Sequence, residues 1–224
     1  MSAPSNVLVR IPVGNLQVEG MLEMPPHAGG LVLFAHGSGS SRLSARNNHV
    51  AAFLRDAGLG TLLVDLLTVD EDRHYQYRFD IDLLTQRLDA AATWLMAQKS
   101  ASALPLALFG ASTGAAAALR VAAMHPQEIL ALVARGGRPD LAGKEVLAAV
   151  RAPCLLLVGG DDLGVIELNK MAYDFLRCEK RLAIIPGATH LFEEPGKLDE
   201  VAMLAANWFE FHFRETAKQR AGHN

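Results

Sequence analysis

The stretch Leu104-Pro-Leu-Ala-Leu-Phe-Gly-Ala-Ser-Thr-Gly-Ala-Ala-Ala-Ala-Leu-Arg120 decides the fold of this chain. Leu106 to Phe109 reads as a buried strand, and the alanine-rich run after Gly114 reads as a helix reaching about Met124. Between them, Gly110-Ala-Ser-Thr-Gly114 forms a G-x-S-x-G turn. A strand-to-helix turn this sharp strains the central serine, so the residues two before and two after it must be nearly free of side chain. Ser112 Oγ is then expected to project above the sheet, with the first N–H groups of the helix aimed at whatever sits there. Gly, Ala and Ser are common residues, so the pattern gains its weight from lying between a strand and a helix.

Outward from this turn, apolar runs alternate with helical patterns. Val7 to Ile11 and Leu16 to Met24 flank Pro12-Val-Gly-Asn15 and read as an antiparallel hairpin. Leu31–Ala35, Thr61–Leu67, Ile129–Ala134, Cys154–Val158 and Arg181–Ile185 read as further strands. Helices are expected over Asn47–Ala57, Ile81–Lys99, Gly143–Ala149, Val165–Leu176 and Leu198–Arg214. Their inner stripes are read as Val50, Phe53 and Leu54, then Leu84, Leu88 and Trp94, and in the last helix Met203, Leu204, Trp208 and Phe211. This order specifies an α/β fold, a mostly parallel sheet of about eight strands with helices on both faces, in one domain spanning residues 1–224. About twenty residues separate Val133 from Cys154, too few for an inserted cap domain, and the polar Val69–Arg78 stretch reads as a mobile loop.

Composition narrows the partners. Half of the 224 residues are hydrophobic and the formal net charge is -3, which gives no reason to expect nucleic acid or a membrane surface. Cys154 and Cys178 lack C-x-x-C or ligand spacing and read as reduced thiols. Neither a secretory signal nor a membrane-spanning run is legible, so the expected location is the cytoplasm.

In parallel sheets ligands gather at the carboxyl ends of the strands. Those ends carry His36 in His36-Gly-Ser-Gly-Ser-Ser41, Asp65, Ser112, Arg135 and Arg138, Asp161 and Asp162, and His190. A serine, a later acid and a still later histidine follow the chain order of an α/β-hydrolase triad. The chemistry needs these types: a neutral imidazole takes the hydroxyl proton, and a carboxylate fixes the imidazole tautomer and steadies the imidazolium. Thr113, directly after the nucleophile, is the expected source of one backbone N–H for the oxyanion.

The four motifs His36-Gly-Ser-Gly-Ser-Ser41, Gly110-Ala-Ser-Thr-Gly114, Gly159-Gly-Asp-Asp162 and Pro186-Gly-Ala-Thr-His190 together resemble the α/β-hydrolase superfamily, and within it the lidless dienelactone-hydrolase-like family. The resemblance runs from about Leu31 to Phe213. It implies Ser112 as nucleophile, His190 as base, Asp162 as acid with Asp161 as the alternative, and Ser38 as the second oxyanion donor. Dienelactone hydrolases proper carry cysteine at the elbow; Ser112 favours a general ester-type serine hydrolase. The implied partner is a small-molecule ester, thioester or lactone, with no cofactor and no metal.

Arg42, Arg46, Arg135 and Arg138 stand near these strand ends and are candidates to hold a substrate carboxylate or phosphate, with pairing to acids such as Asp140 or Glu145 as the competing reading. His36 is expected to brace its loop. Three other functions compete. A dinucleotide-binding oxidoreductase is disfavoured because Ser112 occupies the second glycine position of G-x-G-x-x-G. An inactive interaction module is disfavoured by the presence of all three triad types. A P-loop is disfavoured because the His36 loop lacks the Gly-Lys-Ser/Thr ending.

Overall fold

A computed structural model describes residues 5–99 and 101–221. Eight strands form one sheet: β1 (Ser5–Val13), β2 (Leu16–Met24), β3 (Leu31–Ala35), β4 (Gly60–Val64), β5 (Leu106–Ala111), β6 (Ile129–Arg135), β7 (Cys154–Gly159) and β8 (Lys180–Ile185). Their spatial order is β1-β2-β4-β3-β5-β6-β7-β8. β1 pairs antiparallel with β2, and β2 antiparallel with β4, while every pairing from β4 and β3 through β8 is parallel. The hairpin turns on Gly14, whose φ of +57° a side chain would resist.

The helices are α1 (Ala45–Asp56), α2 (Val69–Asp72), α3 (Ile81–Ala97), α4 (Thr113–Met124), α5 (Lys144–Ala149), α6 (Leu163–Phe175) and α7 (Lys197–Ala221). Strand alternation sends Val32, Phe34, Ala107, Phe109, Ala131 and Val133 to one face, which α1 and α7 cover. Leu33, Leu108, Leu132 and Leu156 point to the other, covered chiefly by α3 and α4. The core therefore has two layers, one on each side of a sheet whose central strands are fully buried. Between β6 and β7 the chain makes only a 3-10 turn over Pro139–Ala142 and α5, so no extra layer covers the carboxyl ends of the strands there.

Three expectations change. In α7 the buried stripe is Val201, Ala202, Ala205, Phe209 and Phe213, whereas Met203 and Phe211 are exposed. In α1, Phe53 is exposed and Asn47, Val50, Ala51 and Leu54 face the sheet. The Val69–Arg78 stretch is built rather than loose: Thr68 and Glu71 form a capping box on α2, Arg87 pairs with Glu71, and Tyr75–Phe79 forms a 3-10 helix.

Backbone packs against backbone where α4 leaves β5. A Cβ on Gly114 would lie 2.3 Å from Ala35 O and 2.4 Å from His36 O, and one on Gly110 would lie 2.5 Å from Ala115 Cα. Gly114→Ala should therefore destabilise the fold by at least roughly 1–3 kcal/mol in urea denaturation, because backbone must move to make room. Gly164→Ala in α6, where an added Cβ meets nothing, should be neutral or slightly stabilising in the same measurement.

Candidate active site

Ser112 sits between β5 and α4 with φ +50° and ψ -122°, one of three non-glycine residues with positive φ among the described residues. A serine there is strained by roughly 1–3 kcal/mol, which the surrounding packing must offset. Its N–H donates to Arg135 O of β6, and its carbonyl accepts from Ala115 and Arg138 N–H, so the turn is hydrogen-bonded on both sides. The His36 loop lies directly against it: a Cβ on Gly37 would meet Ser112 Cβ at 2.9 Å and Oγ at 3.6 Å. No turn or loop hydrogen bond among the described residues takes up the Ser38 or Thr113 N–H.

His190 follows β8, and its Nδ1 is 2.6 Å from Asp162 Oδ2. Asp162 follows β7, is largely shielded, and immediately precedes α6, whereas Asp161 beside it is exposed. Two glycines let these loops converge. A Cβ on Gly159 would lie 2.3 Å from Ala188 O, and Gly136, at φ +50°, lies under the imidazole, where a Cβ would be 3.4 Å from Cε1 and Nδ1. Ser112 and His190 line one cavity of about 160 Å³, together with Gly37, Ser38, Arg46 and Arg135. No hydrogen bond among the described residues joins Ser112 Oγ to His190.

His36 braces the loop as a neutral ring. Its Nδ1–H donates to Gly37 O and its Nε2 accepts the buried Leu66 N–H, both at 2.9 Å. Burial lowers its pKa, opposed by the Gly37 carbonyl and by Asp65 and Asp72.

The arginines divide into two pairs. Arg42 is bound to Asp65 and, at 2.7 Å, to Glu19, and does not line the cavity. Arg138 makes a bidentate pair with Asp140, at 2.9 and 2.7 Å, and is also outside it. The expectation that these two face substrate therefore gives way to structural pairing with nearby carboxylates. Arg46 does line the cavity, with Nη1 2.7 Å from Glu193. Arg135 lines it too, is 6% exposed, and its Nε and Nη1 have no hydrogen-bond partner. Burial first, and the charge of Arg46 second, lower its pKa to about 10, so it remains charged near neutral pH.

A larger groove of about 400 Å³ lies at the amino ends of β6 and β7, where Thr216 donates to the His212 carbonyl. It is far from the convergent strand-end loops. Among the described residues no group of three or more His, Cys, Asp and Glu side chains could hold a metal ion, and no helix is long and apolar enough to cross a membrane.

No protein-family model matches the chain. The crystal structure of dienelactone hydrolase from Anabaena variabilis is 51% identical, with a TM-score of 0.90 over 94% of this chain and 99% of its own. This chain belongs to the dienelactone-hydrolase-like family of α/β-hydrolases. Est1E from Butyrivibrio proteoclasticus, 17% identical, shares the fold with a TM-score of 0.79 over 94% of this chain and 100% of its own. A protein of Mycobacterium tuberculosis strain H37Rv, named "Putative phosphoribosyl transferase Rv0571c", is 51% identical over 204 residues. That match covers 91% of this chain and 46% of the mycobacterial protein, so the chain spans about half the length of the curated relatives it matches.

The neutral His36 of this dienelactone-hydrolase-like chain gives a pH signature. The unfolded imidazole takes up a proton near pH 6.5 and the folded one only at lower pH. Its contribution is thus fully present above about pH 6.5 and is lost as pH falls from there toward the folded pKa. In urea denaturation at pH 8, 6 and 5, wild type should lose more stability than His36→Gln over this range. The buried His212 shifts the same way in both proteins and cancels in the difference. A pH-independent gap between the two would contradict this.

Proposed function

We propose that the protein is a serine hydrolase that cleaves a small ester-type substrate through an acyl-enzyme on Ser112. The observation that carries this reading is the shared cavity: a strained, outward-turned serine and a histidine whose Nδ1 is held by Asp162 line the same small space. Its volume suits a small acyl or alcohol group better than a drug-sized ligand.

With Nδ1–H donated to Asp162, the remaining lone pair of His190 is on Nε2, the form that a general base requires. On substrate binding Nε2 takes the Ser112 proton as Oγ adds to the ester carbonyl. The contact between these two groups is expected to tighten in the substrate complex, as is common in unliganded sites. The carbonyl oxygen becomes an oxyanion, and the Ser38 and Thr113 N–H groups are assigned as its donors, each worth about 3 kcal/mol in comparable enzymes. The imidazolium then gives its proton to the leaving alcohol as the C–O bond breaks. Water, deprotonated by the same nitrogen, attacks the acyl-enzyme, and Ser112 leaves with the proton returned.

The mycobacterial relatives carry a transferase name, but they are about twice as long as the matched region. Hydrolysis is proposed for this chain alone. A catalytically inactive interaction protein is the alternative, and the chemistry of Ser112 separates the two.

A fluorophosphonate probe should label wild type at Ser112 and leave Ser112→Ala unlabelled. On activated acetate esters, Ser112→Ala and His190→Ala should each lose about 10⁴–10⁶ in kcat, and Asp162→Asn about 10⁴. Asp161→Asn should stay within about threefold of wild type, because His190 pairs with its neighbour. An unlabelled wild-type protein, or full activity in Ser112→Ala, would sink the reading.

A further inference from the structure

One wall of the cavity is electropositive. Arg135 ends β6, and strand alternation turns its side chain to the face of Ala131 and Val133, under α1 and α7. There its guanidinium lies 5.8 Å from the centre of the buried Phe192 ring. No carboxylate pairs with it among the described residues, and two of its three nitrogens are buried without a hydrogen-bond partner. A buried charge is ordinarily paired, and leaving one unpaired is among the least favourable arrangements in a protein interior.

The neighbouring features make the imbalance larger. Helix α1 begins at the same wall: Ser44 caps it, Arg46 stands in its first turn, and that turn contains no acid. The amino end of a helix is itself positive, so an arginine there works against the local helix preference. Arg46 Nε is also buried without a partner, and Glu193, whose carboxylate pairs with Nη1 of this side chain, is exposed. Ser38, Ser40 and Ser44 line the cavity as well, and no acidic side chain does. A local sequence choice that opposes its own helix, beside a buried guanidinium with two unpartnered nitrogens, is the mark of a site shaped for a ligand.

We propose that this wall is a phosphate subsite: the ester cleaved at Ser112 carries a phosphate monoester group, held by Arg135 and Arg46 at the amino end of α1. The proposal rests on the serine-hydrolase reading for the reacting end of the substrate. Arg135, with no carboxylate partner among the described residues, and the positive end of α1 match an anion, while Arg46 is shared with Glu193; the unpartnered guanidinium nitrogens offer more donors than the two oxygens of a carboxylate take up. The serine hydroxyls suit a group with three acceptor oxygens. The phosphate is bound and its P–O bonds stay intact. The acyl C–O bond breaks, the acyl group passes to Ser112 Oγ, and the phosphorylated alcohol leaves with the proton carried by His190.

Inorganic phosphate is titrated calorimetrically into wild type and Ser112→Ala, and 2-acetoxyethyl phosphate is compared as substrate with 3-acetoxypropanoate and 2-methoxyethyl acetate. One phosphate per chain should bind both proteins, and Arg135→Met and Arg46→Met should each weaken it by about tenfold or more. Arg138→Met, whose parent side chain is held by Asp140, should leave phosphate affinity within about twofold. The phosphate ester should have the highest kcat/KM, and its advantage over the neutral ester should fall by about tenfold or more in Arg46→Met. Should Arg135→Met fail to fold, Arg135→Lys and Arg46→Met report on the same wall. Absence of saturable phosphate binding, affinity indifferent to both arginines, or equal preference for the carboxylate ester would overturn the phosphate assignment. Phosphate binding with no ester turnover in wild type would instead overturn hydrolysis and leave the subsite standing.

Discussion

The backbone of α4 enters the sheet so close to β3 that no methyl group fits between them. Gly114 is where this happens, against the carbonyls of Ala35 and His36, and Gly110 repeats the constraint against Ala115. Once that approach is fixed, the single residue between strand and helix has no relaxed conformation left, and Ser112 is held at positive φ. The same approach brings the loop after β3 against the serine, so that Gly37 touches Ser112. Ser112, the amino end of α4 and the His36 loop thus come together through backbone contacts rather than through long side chains. On the far side, Gly159 and Gly136 do the same for the loops that carry Asp162 and His190.

Loops brought together by glycine still need to be held, and the side chains that hold them are polar and buried. His36 ties the end of β3 to Leu66 beyond β4, and Asp65 accepts from the Arg42 N–H at 2.6 Å while pairing with its guanidinium. These contacts fix the His36 loop from behind, away from the cavity. The arginines near the strand ends therefore do two different jobs. Arg42 and Arg138 pair with carboxylates outside the cavity and belong to the scaffold, while Arg46, paired with the exposed Glu193, and Arg135, paired with no carboxylate among the described residues, line it.

Much of this was legible in the sequence because motif and topology agree. G-x-S-x-G lies between a strand and a helix pattern, and each candidate residue stands at the carboxyl end of a strand, where a parallel sheet gathers its loops. Asp162 rather than Asp161 is what the resemblance implies, through the family's G-x-x-D pattern after the strand, and His190 pairs with Asp162. Helix phase was less legible. In α7, apolar residues occupy more than one face, so Met203 and Phe211 fitted a stripe as well as the buried Val201, Ala205 and Phe209 did. The ion pairs were legible only when local: Arg138 and Asp140 are two residues apart, but the partners of Arg42 arrive from β2 and the end of β4. That Arg135 would lack a partner could not be read at all, since it depends on which face of β6 is covered and by what.

His36 and Arg135 meet the cost of burial in different ways. Both are bases whose pKa burial lowers. His36 escapes the penalty by staying neutral, and its two ring nitrogens are then satisfied by Gly37 and Leu66. Arg135 has no such exit, because even at about 10 its pKa keeps the proton in place near neutral pH. Loss of a proton cannot relieve the charge, and Arg46 beside it adds repulsion instead of compensation. The Arg135 guanidinium lies against the Phe192 ring, and two of its nitrogens remain without a hydrogen-bond partner beside the cavity. Under the proposed phosphate subsite, an anion would offset that charge, and affinity would come from a guanidinium already held in place rather than from rearrangement on binding.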